Sequence, residues 1–298
     1  MGPGLTDLLP FRPPLEWDAM LGYFALRAIP GVEVVGGGTY RRTVVVDGEP
    51  GFIEVSRGGD DHLLLRAHLR DGESLVPVAR RVRRITGLDV DVESARAHLT
   101  TDPLVGPLVA ERPGLRVPGT WDPFEIGVRA VVGQQVTVAG ASTLTGRLVE
   151  RHGQRLPGPA PPGLTHTFPP AATLAEADLG GIGLTQARAR AIRGFAVAVA
   201  EDRVRLHGGG ALDELVGSIT AVPGLGPWTA HYIALRMGEP DALPASDLGL
   251  RRALVDGRAS TVLPSAAELT ARAEAWRPWR ALAAVHLWSS GRAVSRAP

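Results

Sequence analysis

One stretch, 213–253, brings a glycine hairpin, two aromatic rings and a carboxylate together in the order DELVGSITAVPGLGPWTAHYIALRMGEPDALPASDLGLRRA. Gly224, Leu225 and Gly226 sit between two helical patterns. Glycine permits a positive φ and removes Cβ, so the first backbone N–H groups of the following helix could meet a phosphate at close range. A bare Gly-x-Gly between helices is more often an ordinary turn. Trp228 and Tyr232 follow at i, i+4 and share one helix face, a surface on which a planar group could stack and whose π-electrons attract a cation. The alternative role for such rings is core packing, and Trp17, Trp121, Trp276 and Trp279 are assigned there. Asp247 comes directly after Ser246 at a helix start, where the macrodipole and free N–H groups suit a carboxylate. Placed beside an anomeric carbon, it could stabilise an oxocarbenium-like sugar or orient a water. It could equally be a plain N-cap.

Composition removes many alternatives. Among 298 residues there is no Cys, no Asn and no Lys, so all 32 basic residues are Arg. Disulfides, thiolate nucleophiles, Cys-ligated zinc or iron–sulfur clusters and a methyl-accepting thiol are excluded, as are a P-loop lysine and a lysine Schiff base. The eight His residues form no metal-ligand spacing, so no catalytic metal is expected. The formal net charge is only +1, but from residue 220 onward nine arginines face six acids, a mild bias that suits a polyanion and more often marks a solvated surface. No apolar run approaches a membrane span, and the first ten residues lack a basic region before an apolar core. A soluble, cytoplasmic protein with no membrane partner is predicted.

The elements that must position these residues fall into two groups. A short helix over 20–29 precedes strand-like segments at 33–35, 43–46, 51–55 and 62–69, separated by Gly-rich or Asp-Gly turns, and a helix over 76–86; this predicts an antiparallel meander. From about residue 102 the spacing of apolar residues becomes helical, over 123–138, 141–151, 185–203, 211–218, 228–238, 247–255, 266–275 and 279–290. The expected fold is α+β: an N-terminal antiparallel sheet domain, 1–92, followed by an all-helical region, 93–298, with the helix-hairpin-helix at about 213–236. Residues 156–170, six of them Pro, read as a linker without chemistry.

The hairpin, the Gly/Pro-rich loop and the Asp 21 residues beyond Gly226 resemble the signature of the helix-hairpin-helix base-excision DNA glycosylases. Within that superfamily the chain resembles the bacterial inducible DNA-3-methyladenine glycosylases of the AlkA type, through LEWDAMLGYFALRAIPGVE, ERPGLRVPGTWDPFEIGVRAVVGQQVTVA, VPGLGPWTAHYIALR with ALPASDLGLRR, and AEAWRPWRALAAVHLW. The resemblance implies a TATA-binding-protein-like N-terminal domain and a monomeric enzyme that flips an alkylated base out of double-stranded DNA. It would hydrolyse the N-glycosidic bond, releasing 3-methyladenine and 3- or 7-methylguanine. Asp247 would be catalytic; Trp228, Tyr232, Trp288 and Tyr23 would form the base pocket; Gln135 would enter the gap left by the flipped nucleotide; Gly224, Leu225 and Gly226 would hold the backbone. No cofactor is required, although the backbone carbonyls of Thr220, Val222 and Leu225 would be ligands for a monovalent cation, Na or K. The chain departs from the pattern at Gln135, where Leu is frequent, and at Ser289, where an aromatic is expected. Arg27 is read as a surface arginine rather than one at the pocket mouth.

Bifunctional members place a Lys where Trp228 stands, so no lysine-dependent lyase step is expected. The chain also resembles the C-terminal part of fusions with a methyl-sensing module. Two rival readings remain: a glycosylase for oxidised purines, and a non-catalytic protein that binds damaged DNA through the hairpin. In a bacterium the protein would be cytoplasmic and associated with the nucleoid.

Overall fold

A computed structural model of the chain describes residues 4–70, 75–207, 210–255 and 262–290. Its first layer is a five-stranded antiparallel sheet of Leu5–Pro10 (β1), Glu33–Gly36 (β2), Thr39–Val46 (β3), Glu49–Arg57 (β4) and His62–His68 (β5), ordered β1-β5-β4-β3-β2. The meander β2 to β5 follows the predicted segments. The β3–β4 turn holds Asp47 at φ 50° and Gly48 at φ 82°, two successive positive values of the kind a tight hairpin needs. β1 was not foreseen. It is an edge strand that ends in Pro10, a residue tolerated only where no ladder N–H is needed, and its short LTDLLP run carries no strong alternation. Helices Trp17–Arg27 (α1) and Leu75–Thr86 (α2) cover the sheet, burying Trp17, Met20, Leu21 and Phe24 with Tyr40, Val44, Ile53, Leu63 and Leu65.

The remainder is helical: Val92–Leu99 (α3), Gly106–Glu111 (α4), Pro123–Val132 (α5), Val138–His152 (α6), Ala171–Glu176 (α7), Gln186–Ala200 (α8), Leu212–Thr220 (α9), Pro227–Met237 (α10), Leu248–Ala253 (α11), Ala266–Ala273 (α12) and Arg280–Ser289 (α13). Of these, α3, α4 and α7 are too short for a periodic apolar face to announce them. The helix expected over 123–138 ends at Val132, and the one expected over 141–151 begins already at Val138. Gly133 caps α5, Gln135 adopts φ 57°, and Thr137 starts α6 by accepting from the N–H of Gly140, while the apolar spacing continues across the break. Trp17, Trp121 and Trp276 are buried, and Trp279 packs half-buried against the core formed by α3, α4, α11, α12 and α13.

Sheet and helices meet at a buried ionic net. Arg42, 2% exposed, donates to Glu125 at 2.6 Å; Arg129 on α5 donates to Glu33 of β2 at 3.0 Å and to Glu125 at 3.3 Å. Tyr40 and the N–H of Ile29 complete the shell of Glu33 at 2.6 and 3.1 Å. Burial alone would raise the Glu33 carboxyl, but Arg129 and Arg42 override it and hold it below the usual carboxylate range. The proline-rich segment 156–170 is not a free linker. The carbonyl of Gly31 accepts from the N–H groups of Thr165 and His166 at 2.8 and 3.1 Å, and the Thr43 hydroxyl donates to the His166 carbonyl at 2.9 Å. Composition suggested mobility, but prolines bring few N–H donors, and of the others Thr165 and His166 bond to Gly31, Leu156 and Leu164 bond within the segment, and Thr167 bonds to the Gln154 carbonyl.

In α13 the buried His286 is pushed down to about 4 by desolvation and by Arg112. Its unfolded value lies near 6.5, so the unfolded chain binds more protons between those limits and stability falls as pH is lowered through that window. Urea unfolding at pH 7 and pH 4.5 should show a lower midpoint in acid, and His286→Gln should lessen the difference. An equal difference in both proteins would assign the acid loss to other groups.

Candidate active site

The helix-hairpin-helix is α9, a turn over 221–226, and α10. Gly224 has φ +92°, and a Cβ added there would lie 2.7 Å from the Ala191 side chain, so the turn excludes larger residues on two counts. Leu225 is 3% exposed and anchors the turn; Gly226 is the N-cap of α10 with Pro227 at its first position. The side chain of Gln134 donates to the Gly224 carbonyl at 3.3 Å, and Arg188 of α8 donates to the Gln134 carbonyl. These bonds tie the 133–137 loop to the hairpin. Gln135 is exposed at that loop's tip in the left-handed region, a conformation costing about 1–3 kcal/mol for a non-glycine residue.

Asp247 caps α11: Oδ1 accepts from the N–H of Leu250 at 3.0 Å. That capping role does not exhaust it. Oδ1 also accepts from the Trp288 indole at 2.9 Å and Oδ2 from the Trp228 indole at 3.0 Å. A carboxylate offers about four acceptor sites. Three are taken, so the group is held in one orientation with acceptor capacity left over. Such a fixed negative charge suits stabilisation of a cationic transition state without reorganisation.

The carboxylate edges a cavity of ≈ 530 Å³. Trp228 and Tyr232 stack with centroids 5.2 Å apart and planes 7° from parallel, and both line it with Tyr23, Trp288 and Ser289. α1 brings Tyr23 from the N-terminal domain, so two parts of the fold close the cavity. The Tyr23 and Tyr232 hydroxyls lie 3.5 Å apart. Burial, then the neighbouring Tyr23, push Tyr232 up to about 12. Tyr23 moves the other way: burial would raise it, but Arg236, then Arg27, Tyr232 and Arg129, bring it below the usual phenol value.

Thus Asp247, Trp228, Trp288, Tyr232 and Tyr23 converge on one cavity, whereas Gln135 and the hairpin glycines are not part of its wall. Arg27 is not the surface arginine expected; it is half-buried, its guanidinium 4.0 Å from the Tyr23 ring centroid, because that ring offers an electron-rich face one helical turn away. Arg129 and Arg236, also on the cavity wall, were not singled out from sequence. Arginines in amphipathic helices give no signal of inward placement. Gly249 is another: a Cβ there would sit 3.0 Å from Asp247 Oδ1 and 3.4 Å from the Trp288 ring. Gly249→Ala should therefore disturb the Trp288–Asp247 bond, and tryptophan fluorescence should shift. An unaltered spectrum would mean that the helix start gives way instead.

Much of the C-terminal basic bias is spent internally. Arg280 pairs with Asp241 at 2.7 Å, Arg272 with Asp102 at 2.6 Å, Arg277 with Glu274 at 2.8 Å, and Arg236 is buried. Arg258, Arg292, Arg296 and Asp256 lie outside the described residues. In the hairpin, Thr220, Val222 and Leu225 carry the carbonyls considered for a cation, and that of Val222 accepts from the N–H of Leu225 at 3.1 Å. Among the described residues no group of His, Asp and Glu is arranged to hold a metal, and no helix is long and apolar enough to cross a membrane.

Comparison with known proteins gives two family matches: the AlkA N-terminal domain over residues 7–122, and the HhH-GPD superfamily base excision DNA repair protein over residues 128–279. The chain is 34% identical over 288 residues to the "DNA-3-methyladenine glycosylase 2" of Escherichia coli K12, spanning 94% of this chain and 95% of that one. It is 39% identical over 284 residues to the "Probable bifunctional transcriptional activator/DNA repair enzyme AlkA" of Mycobacterium tuberculosis H37Rv, covering 95% of this chain but only 56% of that relative's length. In structure it is similar to the 3-methyladenine DNA-glycosylase from Archaeoglobus fulgidus, with a TM-score of 0.84 and 22% identity over 98% of this chain and 100% of the other.

Proposed function

The chain belongs to the HhH-GPD superfamily of base excision DNA repair proteins, with an AlkA N-terminal domain ahead of it, and on that premise we propose that it is a DNA glycosylase for alkylated bases in duplex DNA. One observation carries the reading: the Asp247 carboxylate, gripped by two indole N–H groups, at the edge of an aromatic cavity large enough for a purine. The hairpin N–H groups and the 133–137 loop hold the backbone and the distorted stack. The rings of Trp228, Tyr232 and Trp288 receive the flipped base, attracting the positive charge of 3-methyladenine or 3- or 7-methylguanine. Asp247 lowers the energy of the oxocarbenium-like sugar as the base departs, and water completes the hydrolysis. The protein acts as a monomer and leaves an intact abasic site, since no lysine is present to form a Schiff base. This also favours an alkylbase enzyme over a lyase for oxidised purines. Neutral carbonyl oxygens of Thr220, Val222 and Leu225 are the hard donors a Na or K ion takes; such an ion would add positive charge beside the backbone phosphates.

The test is incubation with methylated duplex, with chromatography of released bases and strand breaks scored before and after alkali. Free 3-methyladenine with breaks only after alkali is the expected result. Salt-sensitive binding without released base would support the damage-binding alternative. Gly224→Ala, which meets both a positive φ and the Ala191 contact at 2.7 Å, should weaken binding to undamaged duplex as strongly as to damaged duplex, because the hairpin touches backbone only. A loss confined to damaged sites would place Gly224 in lesion recognition instead.

A further inference from the structure

The cavity wall holds a group that release of a cationic base does not need. An alkylated purine is already positively charged and departs as a neutral molecule; an uncharged purine must acquire a proton to leave well. We propose that Tyr23 is the proton donor to uncharged purines, a role that rests on the glycosylase reading above and extends the same pocket to a second class of leaving group.

The geometry supports it. Arg236 Nη1 donates to the Tyr23 hydroxyl oxygen at 2.5 Å, so the phenol is an acceptor there and its own O–H is left to point elsewhere. A single weak neighbour, the Tyr232 hydroxyl at 3.5 Å, competes for it among the side chains that face it. The guanidiniums of Arg27 and Arg236 lie 4.0 and 4.7 Å from the ring centroid, and both stabilise a phenolate. Facing groups come from three helices: Arg27 from α1, Arg129 from α5, Tyr232 and Arg236 from α10; Arg129 is itself neutralised by Glu33 and Glu125. Against burial, this surrounding charge lowers Tyr23 below the usual phenol value, while Tyr232 is raised. The Arg236 bond and both guanidinium contacts fall on Tyr23, so it is the phenol that this pocket equips to give up a proton.

In the step, the C1′–N9 bond breaks with its electron pair going to the purine, and the Tyr23 proton passes to a ring nitrogen of the departing base. Asp247 supports the sugar cation, water adds to C1′, and the proton it releases restores the phenol. No other reactant is required.

The experiment compares wild type with Tyr23→Phe on two duplexes, one carrying 7-methylguanine and one carrying hypoxanthine, an uncharged purine, across pH 6 to 10. The ratio of hypoxanthine to 7-methylguanine release should fall about 100-fold in the variant, the order of a general-acid contribution. In the wild type, hypoxanthine release should decline as pH rises through the Tyr23 ionisation, and the variant should lack that limb. Equal loss on both substrates would make Tyr23 a stacking surface and overturn the proposal. So would wild-type protein that releases 7-methylguanine but no hypoxanthine. If wild type releases neither base, the glycosylase reading falls and this inference with it.

Discussion

Asp247→Asn is expected to lower release of 3-methyladenine from methylated duplex by about 10²- to 10³-fold, the scale of losing one preorganised electrostatic group. Shape is nearly conserved, and the amide oxygen can still accept from the Leu250 N–H, so the start of α11 survives. What changes is charge and polarity. With the oxygen kept at Oδ1, where it serves both Leu250 and Trp288, the new NH₂ takes the Oδ2 position, and the Trp228 indole N–H loses its acceptor. Affinity for duplex should stay within about threefold of wild type, because the phosphate contacts we propose are made by the hairpin and not by this residue. Measured turnover near wild type would reduce Asp247 to a helix cap and dismantle the mechanism.

The second large effect is on stability. Glu125 is 1% exposed and receives Arg42 and Arg129, so Glu125→Ala leaves Arg42, itself 2% exposed, with the Thr43 carbonyl at 3.1 Å and no carboxylate nearer than Glu33 at 3.9 Å. Removing one partner of a buried ion pair costs about 3–5 kcal/mol, against a typical total of about 5–15 kcal/mol. Urea unfolding should show a sharply lower midpoint with little change in slope. A loss below about 1 kcal/mol would mean that the remaining net reorganises around Glu33. Because Arg129 both belongs to this net and lines the cavity, the variant should also impair base release beyond what its lower stability explains.

The glycine hairpin, Asp247 and the aromatic spacing could be read directly, since each depends on local conformation or on a short motif: a turn needs glycine wherever φ is positive, and residues at i, i+4 share a face whatever surrounds them. The sheet meander was legible for the same reason, through its Asp-Gly turn and short β-branched runs. Absences were the firmest reading of all. A chain with no Lys, Cys or Asn cannot perform lysine or thiol chemistry in any fold.

Long-range placement could not be read. The end of α5 at Val132 hid behind apolar spacing that runs on to 138, and the proline-rich segment looked free because its docking partners, Gly31 and Thr43, lie more than a hundred residues away. Arg27, Arg129 and Arg236 look in sequence like any arginines on helices. Arg27 and Arg129 meet Tyr23 and Glu125 at i, i+4 on their own helices, but what turns Arg129 and Arg236 inward is Glu33 and the Tyr23 ring, contributed by other elements. The sequence by itself thus determined which chemistries are available and which motif presents them. Only the tertiary structure decided that both oxygens of Asp247 are held by indoles 19 and 41 residues distant, and that Tyr23 sits under guanidiniums, because burial and charge neighbours are properties of packing across the chain.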